Sequence, residues 1–195
     1  MAQKLDARYQ QSRMALIAAI RKLVSERPVS ELSIKEVAEA AGVSRPTFYQ
    51  HFDDVPALVT AACSEQMREI FSGIEGELKG TDAGYLRRVM HRFVKALYDD
   101  RAFSRNAVNG RSGMDIAQTT MTFLDDMMRD HVTGTLMGKD EVDHLKTSDR
   151  RFAITAGLVL MVFAWLNSDF TGVNEPDAMA DRLTDTLFSL AGISE

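Results

Sequence analysis

One cysteine in 195 residues, Cys63, leaves no partner for an internal disulfide and too few thiolates for a cysteine zinc site. Proline is almost as scarce: Pro28, Pro46, Pro56 and Pro176 leave residues 57–175 without one. No apolar run exceeds Ala156–Leu166, 11 residues, where a bilayer-spanning helix needs about 20. The opening Met1–Gln10 is polar and charged and lacks the apolar core of a secretory signal. A cytoplasmic location without a membrane partner is therefore the expectation. Strict apolar/polar alternation is scarce as well, which argues against strands, and no repeat or low-complexity tract is present. What remains is 45% hydrophobic and 26% charged residues, a composition that folds rather than stays disordered.

Charge of one sign is unevenly spread. Residues 1–52 hold eight Lys/Arg against five Asp/Glu, a balance of +3 in a chain of net charge −5, so the remainder carries −8. A basic head on an acidic body points to a head that faces a polyanion.

Apolar spacing predicts helices throughout. The first covers about Asp6–Glu26 (Tyr9, Leu16, Ile17, Ile20, Leu23, Val24) and stops at Pro28. The series Val59, Cys63, Met67, Ile70, Ile74, Leu78 marks one long helix from Val55. Further helices are expected over Asp82–Asp99, Ala102–Asn109 and Met114–Leu136, with a polar loop at Gly138–Ser148. Arg150–Phe170 is apolar nearly all round and so calls for burial on every side. A last amphipathic helix follows Pro176. The expected fold class is all-α with about nine helices: a three-helix helix-turn-helix domain over 1–53 and a larger helical domain over 54–195.

The informative stretch is Glu31–Pro56. Ser33 with Glu36 three residues on forms a capping box for a helix over Ile34–Ala41. Gly42 stands where a left-handed residue ends that helix. Ser44 caps a second helix over about Arg45–Phe52, with Pro46 in its first turn. Phe48 and Phe52, at i and i+4, bury its inner face, which leaves Arg45, Thr47, Tyr49 and Gln50 outward with Ser44 and His51 at the margins. Arg pairs with guanine, Gln with adenine and a Thr methyl with thymine, so such a face suits the major groove. The helix N-terminus with Lys35, Tyr49 and His51 suits phosphate.

The stretch SIKEVAEAAGVSRPTFYQHFDD, preceded by a helix ending in ERPVSEL, resembles the N-terminal domain of TetR-family transcriptional regulators. The body, through TAGLVLMVFAWL, is weakly similar to a dihydroxyacetone-kinase-regulator-like branch of that family. The resemblance implies double-stranded operator DNA as partner, contacted by Ser33, Lys35, Ser44, Arg45, Thr47, Tyr49, Gln50 and His51. It also implies that 54–195 is a regulatory and dimerisation domain, with a homodimer built from the two C-terminal helices and a small-molecule effector whose identity the sequence leaves unknown. One departure stands out: the family usually carries a lysine at the start of the fourth helix, and here the chain reads Asp53-Asp54-Val55. That weakens one phosphate contact and leaves open a protein of the same fold that has turned to protein–protein work as an adaptor.

The expected dimer interface is Phe152, Leu158, Met161, Val162, Phe163, Leu183, Leu187 and Leu190. An effector pocket is expected between the helices that start at Val55, Asp82 and Met114. Its candidate walls are Met90, Phe93, Met121, Phe123, Leu124, Met128 and Trp165, and its candidate anchors His91, Asn106 and Gln118. For catalysis there is no H-E-x-x-H, C-x-x-C, G-x-S-x-G or phosphate-binding glycine loop. No catalytic residue, metal or cofactor is therefore expected. Asp140, Glu141, Asp143 and His144 read as a solvated acidic loop rather than a metal site.

Overall fold

The computed structural model describes residues 2–77, 83–127 and 148–191. Among these residues it is all-helical, with nine α-helices: α1 (Ala2–Glu26), α2 (Ile34–Ala40), α3 (Arg45–Tyr49), α4 (Val55–Glu77), α5 (Ala83–Asp99), α6 (Arg101–Val108), α7 (Gly113–Met127), α8 (Ser148–Leu166) and α9 (Pro176–Ala191). Short 3₁₀ turns at Val29–Glu31 and Gly172–Asn174 complete the order. No helix among the described residues is long and apolar enough to cross a membrane. The chain divides into two compact units, residues 1–66 with 102–116, and residues 67–101 with 117–195.

In the first unit, Leu16, Ile17, Ile20 and Val24 of α1 are buried with Val37 and Ala38 of α2 and with Phe48. The small Ala38 side chain lets the short helices approach closely. Arg27, just past α1, reaches Glu36 of α2 at 3.1 Å. The α6 helix adds Phe103, under the Arg21 guanidinium, and Asn106, whose amide donates to the Val24 carbonyl at 2.7 Å. Gln66 is buried and donates to the Ser104 hydroxyl at 3.3 Å.

In the second unit, α5 packs along α9 and α8 against α9. Leu86, Val89, Phe93, Val94 and Leu97 form the inner stripe of α5. Met179, Leu183, Leu187 and Phe188 form that of α9, and Ile154, Leu158, Val159, Val162, Trp165 and Leu166 that of α8. A row of charge fastens α5 to α9 outside this core. Arg87 pairs with Asp181 and Asp185 at 3.0 and 3.1 Å. The two His91 ring nitrogens face Asp177 and Asp181 at 3.2 and 3.0 Å.

Several boundaries differ from the spacing-based expectation. The first helix begins at Ala2 rather than Asp6, because no breaker precedes it. The helix expected over Arg45–Phe52 ends at Tyr49, and the amides of His51 and Phe52 both close on the Phe48 carbonyl. In α4 the expected stripe holds at Val59, Cys63, Met67 and Ile74, all buried, while Ile70 is only half-buried and its neighbour Phe71 takes the inner place. The helix expected to reach Phe170 ends at Leu166, and Phe170 itself takes a left-handed backbone, φ 59°. Its ring lies edge-on to both Trp165 and Tyr98 there, and that packing offsets the steric cost of the conformation. The α8 helix is not enclosed by its own chain, since Phe152 and Leu160 stand 61% and 62% exposed. Leu78, the expected helix beyond Met127, the loop over 138–147 and its acidic cluster lie outside the described residues.

Candidate functional site

Two caps define the helix-turn-helix. The Ser33 hydroxyl accepts from the Glu36 amide at 3.3 Å, and the Glu36 carboxylate accepts in turn from the Ser33 amide at 3.0 Å and hydroxyl at 2.8 Å. Those bonds, with Arg27 next in weight, hold the Glu36 carboxyl below its usual range. Gly42 lies at φ +66°, a conformation a β-carbon resists. The Ser44 hydroxyl accepts from the Thr47 amide at 3.2 Å and lies 2.8 Å from the Thr47 hydroxyl. A helix of five residues carries few internal hydrogen bonds, so its orientation depends on this cap and on the buried Phe48, fully enclosed, and Phe52, 8% exposed.

With those rings inward, Arg45, Tyr49 and Gln50 are exposed and Thr47 is half-buried. The Arg45 side chain has no partner among the described residues. Ser33 and Lys35 are exposed on α2, where the Lys35 ammonium lies 3.9 Å from Glu39. His51 differs from the rest of the set. Its ring is half-buried against Tyr9 of α1, centroids 4.1 Å apart, and Nε2 lies 2.7 Å from the Ser12 hydroxyl. Nδ1 is buried and has no hydrogen-bond partner among the described residues. Burial, with the nearby Arg13 charge second, lowers the His51 pKa. The Arg13 guanidinium itself lies over the Phe52 ring. The Asp54 carboxylate accepts from the Ala57 amide at 2.8 Å and so caps the start of α4.

The residues expected to line an effector pocket are dispersed. Phe93 and Phe123 are brought together by Phe71, whose ring lies 5.6 and 5.4 Å from theirs. Phe71 lies outside the expected stripe because Ile70, its neighbour, continues the helical spacing from Met67 to Ile74. Met90, Met121 and Leu124 are half-buried and Gln118 is exposed. Trp165 is buried and donates from Nε1 to the Asn174 carbonyl at 2.8 Å. Asn106 belongs to the first unit, bonded to α1, and Met128 lies outside the described residues. His91 lines an open cleft of about 490 Å³ along α5 with Gly84, Arg87, Arg88 and Arg92. Charge spacing on α5 was the available signal for that cleft. Of the expected interface, Leu158, Val162, Leu183 and Leu187 are buried within the single chain. Phe152 and Leu190 are exposed, while Met161 and Phe163 are half-buried. Leu160, outside the expected set, is exposed on the same helix.

Residues 16–62 match the family model described as bacterial regulatory proteins, tetR family. The chain is 23% identical over 109 residues to the HTH-type transcriptional regulator EthR of Mycolicibacterium smegmatis, a match over 56% of this chain and 49% of that protein. It thus spans about half the length of that curated relative. A crystal structure of a TetR transcriptional regulator from Rhodococcus sp. RHA1 superposes with TM-score 0.61 at 16% identity, over 94% of this chain and 99% of the other. The transcriptional regulator FadR from Bacillus subtilis, solved in complex with stearoyl-CoA, superposes with TM-score 0.60 at 17% identity, over 90% and 97%. These likenesses establish the fold.

Proposed function

Since this chain belongs to the tetR family of bacterial regulatory proteins through its residues 16–62, we propose that it is a ligand-responsive transcriptional repressor that binds a palindromic operator as a cytoplasmic homodimer. The observation that carries the reading is the division of α3: Phe48 and Phe52 are buried, while Arg45, Tyr49 and Gln50 face outward from one short helix capped by Ser44. In this reading residues 1–53 hold the DNA and 54–195 hold effector and partner subunit. Arg45 and Gln50 read base edges and the Thr47 methyl meets thymine. Ser33, Lys35, Ser44 and Tyr49 position the head on phosphates. His51 joins them only by giving up its Ser12 partner.

Two such heads in a homodimer address half-sites about 34–36 Å apart, or a multiple of that. The exposed apolar residues Phe152, Leu160 and Leu190, with Met161 and Phe163 beside them, are the part of α8 and α9 left for the partner subunit. FadR of Bacillus subtilis, of the same fold, is described with stearoyl-CoA. An effector here acts by its differential affinity for the DNA-competent and incompetent states. The family's function is regulation, not catalysis.

The test is a gel shift of the purified protein against genomic fragments at several salt concentrations. Binding should weaken steeply as salt rises. Arg45→Ala should cost about 1–3 kcal/mol in specific affinity while leaving the dimer intact. Unchanged affinity in that variant removes α3 as the reader. The carboxylates of Asp53 and Asp54, exposed where the family offers a lysine, favour the adaptor as second reading. An adaptor shows no salt-dependent DNA binding at all.

A further inference from the structure

We infer that Arg8 of α1 is an additional phosphate-binding residue of the head, beside the trailing end of α3; the inference rests on the DNA-binding reading above. The His51 ring immediately follows the exposed Tyr49 and Gln50, and it is seated against α1 by Tyr9, 4.1 Å between centroids, and by the Ser12 hydroxyl at 2.7 Å. The turn of α1 holding residues 8–12 therefore flanks the trailing end of α3. Arg8 and Ser12 are separated by four residues and share a face of α1, and the Ser12 hydroxyl also donates to the Arg8 carbonyl at 3.0 Å. Arg8 is exposed and its side chain has no partner among the described residues.

The geometry of the duplex supplies the ligand. A helix is about 10–12 Å across and the major groove about 12 Å wide, so α3 fills the groove and whatever flanks it meets the phosphate walls. On one side the wall meets Ser33 and Lys35 of α2, and Lys35 is partly neutralised by Glu39 at 3.9 Å. The start of α4 offers the exposed acids Asp53 and Asp54, which repel phosphate. Arg13, the next cation along α1, is already placed over the Phe52 ring. Among the side chains described, Arg8 is the cation that remains on the α1 side, and a guanidinium there takes a phosphate oxygen without reading sequence.

The test compares full-length protein with Arg8→Ala and Arg8→Lys, using a genomic fragment that the protein itself enriches and a mixed-sequence duplex. Affinity is measured against salt concentration. The wild-type slope of log K on log salt should fall in steepness by about 0.9 per subunit in Arg8→Ala. The loss should be equal on both duplexes, and Arg8→Lys should restore most of it. Thermal unfolding should not change, which a packing role for Arg8 would not allow. A wild-type protein that binds in a salt-dependent way, with an unaltered slope in Arg8→Ala, overturns this inference and spares the one beneath it. A wild-type protein with no salt-dependent binding overturns both.

Discussion

A β-carbon added at Gly113 would run into the Val108 carbonyl oxygen, a backbone atom that has no flexible end to move aside. Gly113→Ala should therefore cost about 1–3 kcal/mol and lower the melting temperature. Gly73, exposed in the interior of α4 with open space around it, is the opposite case. Gly73→Ala should stabilise by about 0.5–1 kcal/mol through the helix preference of alanine; the pair separates steric from entropic effects at glycine. His51 carries a pH dependence. Its folded-state pKa is depressed, so its contribution is fully present above the unfolded value near 6.5 and is lost as pH falls toward the folded one. Denaturant unfolding followed from about pH 7.5 downward should show that loss, and His51→Gln should flatten the curve in this range. Neither Gly113 nor His51 announces such a role in the sequence. The first needs the neighbouring turn, and the second needs α1 to arrive beside it.

At the scale of elements, the helices with written stop signals were legible and those without were not. Ser33, Glu36, Gly42 and Ser44 fixed α2 and the start of α3 because capping is local chemistry that spans four residues. Ser33→Ala removes one side of the box and should lower stability by about 1 kcal/mol, measured by denaturation with circular dichroism. The end of α3 was misjudged because Phe48 and Phe52 keep helical spacing while the backbone between them has already turned. The α4 stripe holds at Val59, Cys63, Met67 and Ile74 and differs only at Ile70, because Ile70 and Phe71 fit helical periodicity equally well. Between α5 and α9 the charged row decides the acid response. His91 first, then Arg87, holds Asp181 ionised below its usual range. That contribution is present above the ordinary carboxylate range and is lost as pH falls through the depressed value. Asp181→Asn should make unfolding less sensitive to pH in the acid range.

For the molecule as a whole, the surface of α8 argues for a partner. A substitution at Leu158 opens the core of the single chain, where the side chain is 7% exposed, so a polar residue there reports on folding rather than assembly. Leu160 is the cleaner probe. Leu160→Glu should leave the subunit folded and convert dimer to monomer in sedimentation; a dimer that persists would place the interface elsewhere. Burial of the exposed apolar side chains Phe152, Leu160 and Leu190 across a two-fold axis is the expected source of the association energy.

The amino-acid order alone settled what depends on near neighbours: the all-helical class from apolar spacing, the helix-turn-helix from its caps and glycine, and the outward position of Arg45 from the i, i+4 pair Phe48 and Phe52. Only the tertiary arrangement decided what depends on residues far apart in the chain. It seated His51 on Ser12, joined Phe71 to Phe93 and Phe123, gave His91 to the acids of α9, and divided α8 into a face spent within the subunit and a face left open. The reason is one of range: periodicity reports which side of a helix is apolar, whereas the element that covers that side is chosen by the packing of the whole chain.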